Sequence, residues 1–222
     1  MADLSPGAAP AAAGANTAAV PRKRGRPPRT IDHGALVAAI ERLFAAGGID
    51  AVTIERTAAE LAVSRATLYR SVPSKADLLG ILFVQMTLEL DQAAWTATHT
   101  EVASARLRLE RLVRVQIEAA IRMRDYFFIY FDGSRLPDTV YQDWRRWAPR
   151  HEQVWIDTVA AAIEAGDLPP GEPRLTTRLI LGMTIWVANW YRPKEGFTLE
   201  QIQERTLELI GFTSRHRPDT ES

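Results

Sequence analysis

The sequence predicts an all-α protein with a small N-terminal three-helix domain followed by a larger helical domain. Apolar residues recur with the 3.6-residue period of an α-helix from residue 32 to about residue 213. The segments that interrupt this period contain Gly, Pro or a polar capping residue, which are the usual signals for helix ends. No stretch alternates apolar and polar residues for long enough to indicate a β-strand. With 222 residues, the chain is long enough for one domain or two.

The composition excludes several classes of protein. The chain contains 27 basic and 27 acidic residues, so a uniformly basic protein that coats nucleic acid is excluded. Cysteine is absent, which excludes disulfides, thiolate metal sites and a cysteine nucleophile. No apolar run reaches the roughly 18 residues that a membrane span needs, and no basic segment precedes an apolar stretch at the N-terminus. We therefore expect a cytoplasmic protein without a membrane contact or a signal peptide.

Residues 1–30 are predicted to form a disordered tail that ends in a basic arm. Residues 1–21 are mostly Ala, Pro, Gly and small polar residues, which offer no apolar face that could be buried. Residues 22–29 contain five cations and no acid. Through residue 80 there are ten basic and seven acidic residues, and the rest of the chain has the opposite imbalance. The local charge therefore favours contact between the N-terminal part and a polyanion such as DNA.

Three short helices are predicted after the arm, each begun by a polar capping residue. Asp32 precedes the first helix, which ends at Gly47-Gly48 because glycine readily adopts the left-handed conformation found at helix ends. Thr53 precedes the second helix and Ser64 precedes the third, which Pro73 terminates. The inward-facing residues are Leu36, Val37, Ile40, Leu43 and Phe44 in the first helix, Ile54, Ala58 and Leu61 in the second, and Leu68 in the third.

A long fourth helix is predicted over residues 75–97, with Ser74 and Asp77 in the positions of a capping box. Further helical segments, separated by Gly and Pro clusters, are predicted over 101–124, 126–132, 139–165, 174–191 and 199–213. Thr198 and Gln201 predict a capping box for the last of them. The predicted domains are a tail with a basic arm (1–30), a first helical domain (31–80), a second helical domain (81–213) and a polar tail (214–222).

The second and third helices have the spacing of a helix-turn-helix motif. In that motif the N-terminal residues of the second helix of the pair contact base edges in the major groove. Arg65 can hydrogen-bond N7 and O6 of guanine, while Ala66 and Thr67 can contact a thymine methyl or another base edge. The predicted DNA-binding residues are Ser64, Arg65, Ala66 and Thr67 at the helix start, and Thr53, Tyr69, Arg70 and Lys75 at phosphate positions. The alternative is an ordinary helical hairpin with solvated arginines.

Several positions between residues 36 and 79 form a recognisable pattern. They are Ala39, Leu43-Phe44, the spacing from Gly48 to Thr53, Ala58, Val63-Ser64, Thr67-Leu68-Tyr69, Ser74-Lys75 and Leu78-Leu79. In order and spacing, this pattern resembles the N-terminal domain of TetR-type transcriptional repressors. Two positions depart from it, because Ala62 stands where a turn glycine is usual and Val72 where an aromatic is usual. The resemblance implies a homodimeric repressor that binds a palindromic operator, with an effector-binding and dimerisation domain after the DNA-binding domain.

The basic arm adds a second DNA-binding signal. Arg24-Gly25-Arg26-Pro27 is similar to the core of an AT-hook, an extended segment that places arginines in the narrow minor groove of A·T-rich DNA. Pro27 and Pro28 favour that extended conformation. We predict minor-groove contacts from Arg24, Arg26 and Arg29. The alternative, a solvated basic linker that adds only non-specific affinity, remains open.

The second helical domain contains most of the aromatic residues, including all six tryptophans. Pockets for large apolar ligands have such linings together with a few fixed polar groups. We predict effector contacts from Phe83, Met86, Leu90, Phe127, Tyr130, Phe131, Trp144 and Trp155. The alternative is that these side chains are simply core.

Part of the second helical domain carries a further resemblance. The residues concerned are Leu181-Gly182-Met183, Trp186, Asn189-Trp190-Tyr191-Arg192-Pro193 and Gly196-Phe197-Thr198. They resemble the C-terminal part of TetR-type regulators of fatty-acid and sterol breakdown, several of which respond to acyl-CoA thioesters. The resemblance implies a large apolar effector, such as an acyl-CoA.

Two apolar stripes near the C-terminus predict a dimer interface. A monomer would expose these large side chains, whereas pairing with a second copy would give a four-helix interface with twofold symmetry. The predicted interface residues are Leu175, Leu179, Met183, Trp186, Trp190, Ile202, Leu209 and Ile210.

No residues form a recognisable catalytic or metal-binding pattern. The four histidines are far apart in the sequence, and His151-Glu152 lacks the second histidine of the zinc-binding helix motif. A phosphate-binding glycine loop and a nucleophile elbow are also absent. We therefore predict a protein that is not an enzyme and that uses no cofactor or metal. The alternative to a DNA-binding regulator is a helical ligand-binding or scaffold protein without operator-specific DNA binding.

Overall fold

α-Helices make up nearly all of the regular structure in the computed structural model, which describes residues 31–99, 104–124 and 138–212. The helices are α1 (His33–Ala51), α2 (Ile54–Glu60), α3 (Arg65–Tyr69), α4 (Lys75–Thr98), α5 (Ala105–Arg122), α6 (Asp138–Glu164), α7 (Pro173–Trp190) and α8 (Leu199–Leu209), with a short 3₁₀ helix at Pro193–Glu195. No strand occurs in the described ranges, and the predicted all-α class is confirmed. The predicted tail and arm (1–30), the predicted helix 126–132 and the predicted polar tail (214–222) lie outside the described residues.

Side-chain caps begin the first three helices, as predicted. The side chains of Asp32, Thr53 and Ser64 each accept a hydrogen bond from the backbone N–H three residues further on, at 2.8, 3.2 and 3.1 Å. These bonds satisfy N–H groups that have no acceptor within the helix. At Gly47-Gly48 the backbone is non-helical, with φ 63° at the second glycine, and the helix then resumes until Ala51. The predicted helix end is therefore a break within α1.

The start of α4 differs in one detail from the predicted capping box. Ser74 Oγ accepts a hydrogen bond from the Asp77 N–H at 3.2 Å, as in that motif. The Asp77 carboxylate accepts from the Ser74 hydroxyl at 2.6 Å, because it is one methylene shorter than the glutamate that usually reaches the backbone N–H. The complete box is present at α8, where Thr198 and Gln201 exchange both bonds as predicted.

The N-terminal core joins α1, α2, α3 and the first half of α4. Ile40, Val52 and Leu68 have no exposed surface and lie at its centre. Along α4 this core extends as far as Met86, which is beyond the predicted domain boundary at residue 80. The division into two helical domains stays a prediction, because α4 runs through both of its predicted parts.

α5 is the central helix of the C-terminal part and packs against α4, α6, α7 and α8. Its apolar stripe is buried, and the side chains of Leu109 and Ile117 have no exposed surface. Trp155 of α6 and Ile180 of α7 pack into the same core. The helices around α5 therefore have fixed positions, which define a cavity described below. Within the described residues, no helix is long and apolar enough to cross a membrane.

Candidate DNA-binding surface and ligand cavity

The start of α3 presents a polar surface whose position depends on one buried side chain. Leu68 is fully buried, whereas Ser64, Arg65 and Ala66 are exposed. Since α3 has only five residues, the packing of Leu68 and the turn from α2 are what hold it in place. The predicted base-reading residues therefore lie on the solvent side of a short, anchored helix.

The polar side chains at this surface interact with one another. Arg65 Nη1 lies 3.7 Å from a Glu55 carboxylate oxygen, and both side chains are more than half exposed. Thr67 Oγ1 lies 2.8 Å from Ser64 Oγ and accepts a long hydrogen bond of 3.4 Å from Arg70 Nη2. Exposed ion pairs of this kind stabilise a protein by roughly 0–1 kcal/mol. The Arg65 guanidinium can therefore exchange its carboxylate partner for a base edge at little cost.

The predicted phosphate contacts come from α2, α3 and α4. Tyr69 and Arg70 are exposed at the end of α3, and Lys75 is half-buried at the start of α4. The Thr53 hydroxyl caps α2 through its oxygen, which leaves its O–H free to donate to a phosphate. The predicted arm contacts Arg24, Arg26 and Arg29 lie outside the described residues.

A cavity of about 280 Å³ lies between α4, α5, α6 and α7. Its walls are mainly apolar and include Leu90, Ala120, Met123, Trp147, Leu181 and Ile185. Three polar side chains also line it, namely Gln116, His151 and Glu152. None of the described residues that line it is Lys or Arg. The cavity therefore suits an apolar body with few hydrogen-bonding groups.

Three side chains from three helices form a hydrogen-bonded chain at this cavity, the Asp91–His151–Gln116 chain. His151 Nδ1 lies 3.3 Å from Asp91 Oδ1, and His151 Nε2 lies 3.2 Å from Gln116 Oε1. The imidazole also stacks on Trp147, with the ring centroids 4.8 Å apart. Burial lowers the pKa of His151, and the Asp91 carboxylate only partly opposes this effect. The neutral imidazole is therefore favoured.

The predicted effector residues are distributed over several parts of the fold. Leu90 lines the cavity. Phe83 and Trp155 are buried in the N-terminal and C-terminal cores. Met86 lines a separate open groove beside α1 and α5, and Trp144 packs against both the N-terminal core and the cluster around Leu90. The remaining three, Phe127, Tyr130 and Phe131, lie outside the described residues.

Sequence reasoning missed the cavity residues Gln116, Trp147 and His151. A usable signal exists for two of them, because Gln116 interrupts the apolar stripe of α5 and His151 lies four residues from both Trp147 and Trp155 on α6. A polar residue at an inward-facing helix position is unusual and indicates a partner in the core. The signal does not reveal which partner, since His151 is 35 residues from Gln116 and 60 from Asp91.

The predicted dimer residues are divided between the surface and the core. Ile202 is buried in the C-terminal core, and Met183 and Ile210 are half-buried. The other five are exposed, with Leu179 at 68%. We refer to these five as the α7–α8 apolar face, which comprises Leu175, Leu179, Trp186, Trp190 and Leu209. Clusters of exposed apolar side chains mark interaction surfaces in soluble proteins.

Two segments of the chain match sequence models of one protein family. Residues 36–80 match bacterial regulatory proteins of the tetR family. Residues 102–211 match the tetracyclin repressor-like C-terminal domain. Among curated proteins, none matches the chain by sequence.

Solved structures with the same fold include known regulators. A transcriptional regulator of the TetR/AcrR family from Thermobifida fusca YX-ER1 has a TM-score of 0.71 and 18% identity, covering 82% of this chain and 98% of that one. AibR, in complex with isovaleryl coenzyme A and operator DNA, has a TM-score of 0.65 and 18% identity, covering 82% and 99%. The ketosteroid transcriptional regulator KstR2 of Mycobacterium tuberculosis has a TM-score of 0.61 and 23% identity, covering 80% and 92%. The chain, with its N-terminal helix-turn-helix and C-terminal helical part, therefore belongs to the TetR family of bacterial regulatory proteins.

Proposed function

We propose that this protein is a homodimeric transcriptional repressor that binds a palindromic operator and is released from it by a large apolar effector, such as an acyl-CoA. The observation that carries the proposal is the exposed polar start of α3, anchored by the buried Leu68, in a chain that belongs to the TetR family. Such a surface has the size and chemistry to enter a major groove. The proposed regulator acts in the cytoplasm.

In this proposal, Arg65 reads a guanine and Ala66 and Thr67 contact neighbouring base edges. The side chains around them, including Tyr69 and Lys75, hold the phosphates and set the register of the helix in the groove. The arginines of the basic arm, Arg24, Arg26 and Arg29, add minor-groove contacts beside each half-site.

The cavity between α4, α5, α6 and α7 supports the effector part of the proposal. Its volume of about 280 Å³ and mainly apolar wall suit the apolar part of a ligand, with any large polar group outside. Two structures with this fold belong to regulators whose names point to related ligands, one bound to isovaleryl coenzyme A and one a ketosteroid regulator. An acyl or sterol-derived thioester is therefore the first ligand class to test.

The experiment begins with the selection of binding sites from a randomised duplex DNA library by the full-length protein. Affinity for the selected site is then measured by fluorescence anisotropy as a function of salt. Arg65→Ala should weaken binding by about 1–3 kcal/mol per half-site and relax base preference at one position, because one base contact is lost. Arg205→Ala, which removes an exposed arginine of α8 far along the chain from the motif, is the matched control and should bind like the wild type.

The same assay tests the effector. Acyl-CoAs of increasing chain length are titrated into the protein–DNA complex, and release should be blunted in Ala120→Leu, which fills part of the cavity. A selection that enriches no sequence would contradict the DNA-binding proposal and favour a helical ligand-binding or scaffold protein. Release by no apolar ligand would contradict the effector proposal alone.

A further inference from the structure

The Gln116 amide is a buried polar group with hydrogen-bonding capacity to spare. Gln116 lines the cavity and is only 6% exposed. Its single hydrogen bond among the described residues is the contact of 3.2 Å with His151 Nε2. A primary amide has two N–H donors and one carbonyl acceptor, so one contact leaves most of this capacity unused. A buried amide with unused donors is costly unless a ligand or water takes them.

The rest of the Asp91–His151–Gln116 chain fixes the position of this amide. With its Nδ1–H donated to Asp91 Oδ1, the neutral ring offers a lone pair at Nε2. The stacking contact with Trp147 holds the plane of the ring. Because Nε2 is then an acceptor, the hydrogen bond with Gln116 requires the amide nitrogen toward the ring, an orientation that occupies the same volume as the one with Oε1 at 3.2 Å. In that orientation one amide N–H is left for another acceptor.

The charges around the cavity restrict what that acceptor can be. No Lys or Arg is among the described residues that line the cavity. Among the described lining residues the one carboxylate, that of Glu152, is paired with Arg178 Nε at 2.8 Å, and Asp91 lies behind His151. A ligand carboxylate buried there would have no Lys or Arg among the described lining residues to pair with, which is unfavourable. A neutral carbonyl oxygen meets no such penalty.

We propose that the cavity binds an apolar molecule through one neutral carbonyl oxygen, which accepts a hydrogen bond from the Gln116 amide, and that it discriminates against the corresponding carboxylate. Ketones and thioesters share this chemistry. The cavity has about twice the volume of one that holds benzene, so the buried body contains on the order of ten carbon atoms. The inference rests on the proposed effector function and names the ligand class of that cavity.

The test measures ligand binding to the full-length protein without DNA, by isothermal titration calorimetry. The probes are 2-nonanone, S-ethyl octanethioate, nonanoate and n-butylbenzene, which are a ketone, a thioester, a free acid and a hydrocarbon of comparable size. The ketone and the thioester should bind at least about tenfold more tightly than nonanoate, because only the acid buries a charge. Tight binding by the ketone alone identifies ketones as the source of the carbonyl, and tight binding by the thioester alone identifies thioesters.

The decisive variant is Gln116→Met, which keeps the length of the side chain and removes its N–H groups. It should weaken the binding of the ketone and the thioester about 3- to 10-fold, which corresponds to the loss of one neutral hydrogen bond. The affinity for n-butylbenzene should not decrease. Retained binding of the hydrocarbon also reports that the cavity is folded. Gln203→Met is the matched control, since Gln203 is also buried but donates to the Arg114 carbonyl at 3.1 Å on the α5–α8 side, away from the cavity.

Two results would overturn the inference. One is nonanoate binding as tightly as the ketone, and the other is an equal loss of ketone and hydrocarbon affinity in Gln116→Met. Release of operator DNA is measured separately by anisotropy, so the two proposals fail independently. Carbonyl ligands that bind through Gln116 but leave the DNA complex intact would support this inference and contradict the effector function. Release of DNA by apolar ligands whose affinity is independent of Gln116 would support the effector function and contradict this inference.

Discussion

Ala62 adopts a left-handed backbone conformation, with φ 51°, in the turn between α2 and α3. Its N–H and that of the next residue donate to the carbonyls of Ala59 and Ala58, both at 3.0 Å, which is the Schellman arrangement of a helix end. The same pair of hydrogen bonds ends α6 at Gly166 and α8 at Gly211. The alanine therefore keeps the turn geometry for which glycine is the usual residue, at a cost of about 1–2 kcal/mol from its Cβ.

We expect Ala62→Gly to raise the free energy of unfolding by about 0.5–1 kcal/mol, because the relief of strain exceeds the added entropy of the unfolded chain. Thermal unfolding followed by circular dichroism should show a midpoint about 1–4 °C higher. The control is Ala59→Gly, an exposed position inside α2, which should lower stability by about 0.5–1 kcal/mol. Destabilisation by both substitutions would mean that Ala62 is not strained.

A second residue-scale prediction concerns the buried imidazole of His151. Burial lowers the pKa of this group from its ordinary value of 6.5. As the pH falls below about 6.5, the unfolded chain binds a proton that the folded chain does not, so the free energy of unfolding decreases until the lower folded-state pKa is reached. His151→Asn should therefore reduce the decrease of the free energy of unfolding with falling pH. Urea unfolding between about pH 7.5 and pH 5.5 measures this decrease.

The matched control for that measurement is His33→Asn, which removes an exposed imidazole at the start of α1. This variant keeps His151, so the contribution of His151 to the dependence on pH should remain. Asp91, at 3.3 Å, is the acidic group that opposes the effect of burial on the pKa of His151. A wild-type slope in His151→Asn would indicate that Asp91 fully offsets the effect of burial.

At the scale of one element, α4 connects the DNA-binding motif to the cavity. It begins directly after Ser74 and has 24 residues, so it is about 36 Å long at about 1.5 Å per residue. Leu82 lies in the N-terminal core, Leu90 lines the cavity and Ala94 lies in the C-terminal core. A stiff helix with these three attachments can transmit a displacement at the cavity to the position of α3.

We expect a flexible point in α4 to weaken the coupling between the cavity and the DNA-binding motif. The affinity for ligand and the affinity for DNA should each change less than this coupling. Leu88 is 59% exposed and lies between Leu82 and Leu90, which makes it a suitable position. Leu88→Gly should reduce the effect of an effector on DNA affinity, measured by anisotropy with and without ligand, at a cost in stability of about 1 kcal/mol. Leu88→Ala is the control and should keep the wild-type coupling. Equal coupling in both variants would argue against transmission through α4.

At the scale of the whole molecule, the α7–α8 apolar face predicts that the protein forms a dimer. Leu179 and Trp186 are more than half exposed and lie about two turns apart on one stripe of α7. Specific interfaces bury about 800 Å² per partner, and large apolar side chains at their centre contribute most of the stability. A twofold dimer through this face would also space two copies of α3 for the two halves of a palindromic operator.

We expect the double substitution Leu179→Glu, Trp186→Glu to convert a dimer into folded monomers, measured by analytical ultracentrifugation. Buried like charges across a twofold axis are strongly unfavourable, so association should be lost. Leu88→Glu places the same charge on an exposed leucine of α4 and should leave the dimer intact. A dimer that survives the double substitution would show that a different surface mediates association.

Some features of this protein depend on short stretches of chain, and these were predictable from the sequence. Asp32, Thr53 and Ser64 were predicted as caps because each bonds to an N–H only three residues away. The helix-turn-helix spacing and the all-α class follow from the same local rules. The break at Gly47-Gly48 was placed correctly, although the helix resumes after it.

Other features depend on which helices meet, and only the tertiary structure decided them. The sequence identified inward-facing positions without distinguishing core from cavity, so Trp155 was predicted at a ligand site although it lies in the core, whereas Trp147 was not predicted and lines the cavity. The Asp91–His151–Gln116 chain joins residues 35 and 60 positions apart. Helical periodicity determines the direction of a side chain relative to its own helix axis, whereas its neighbours are set by the packing angles and distances between helices, which are non-local.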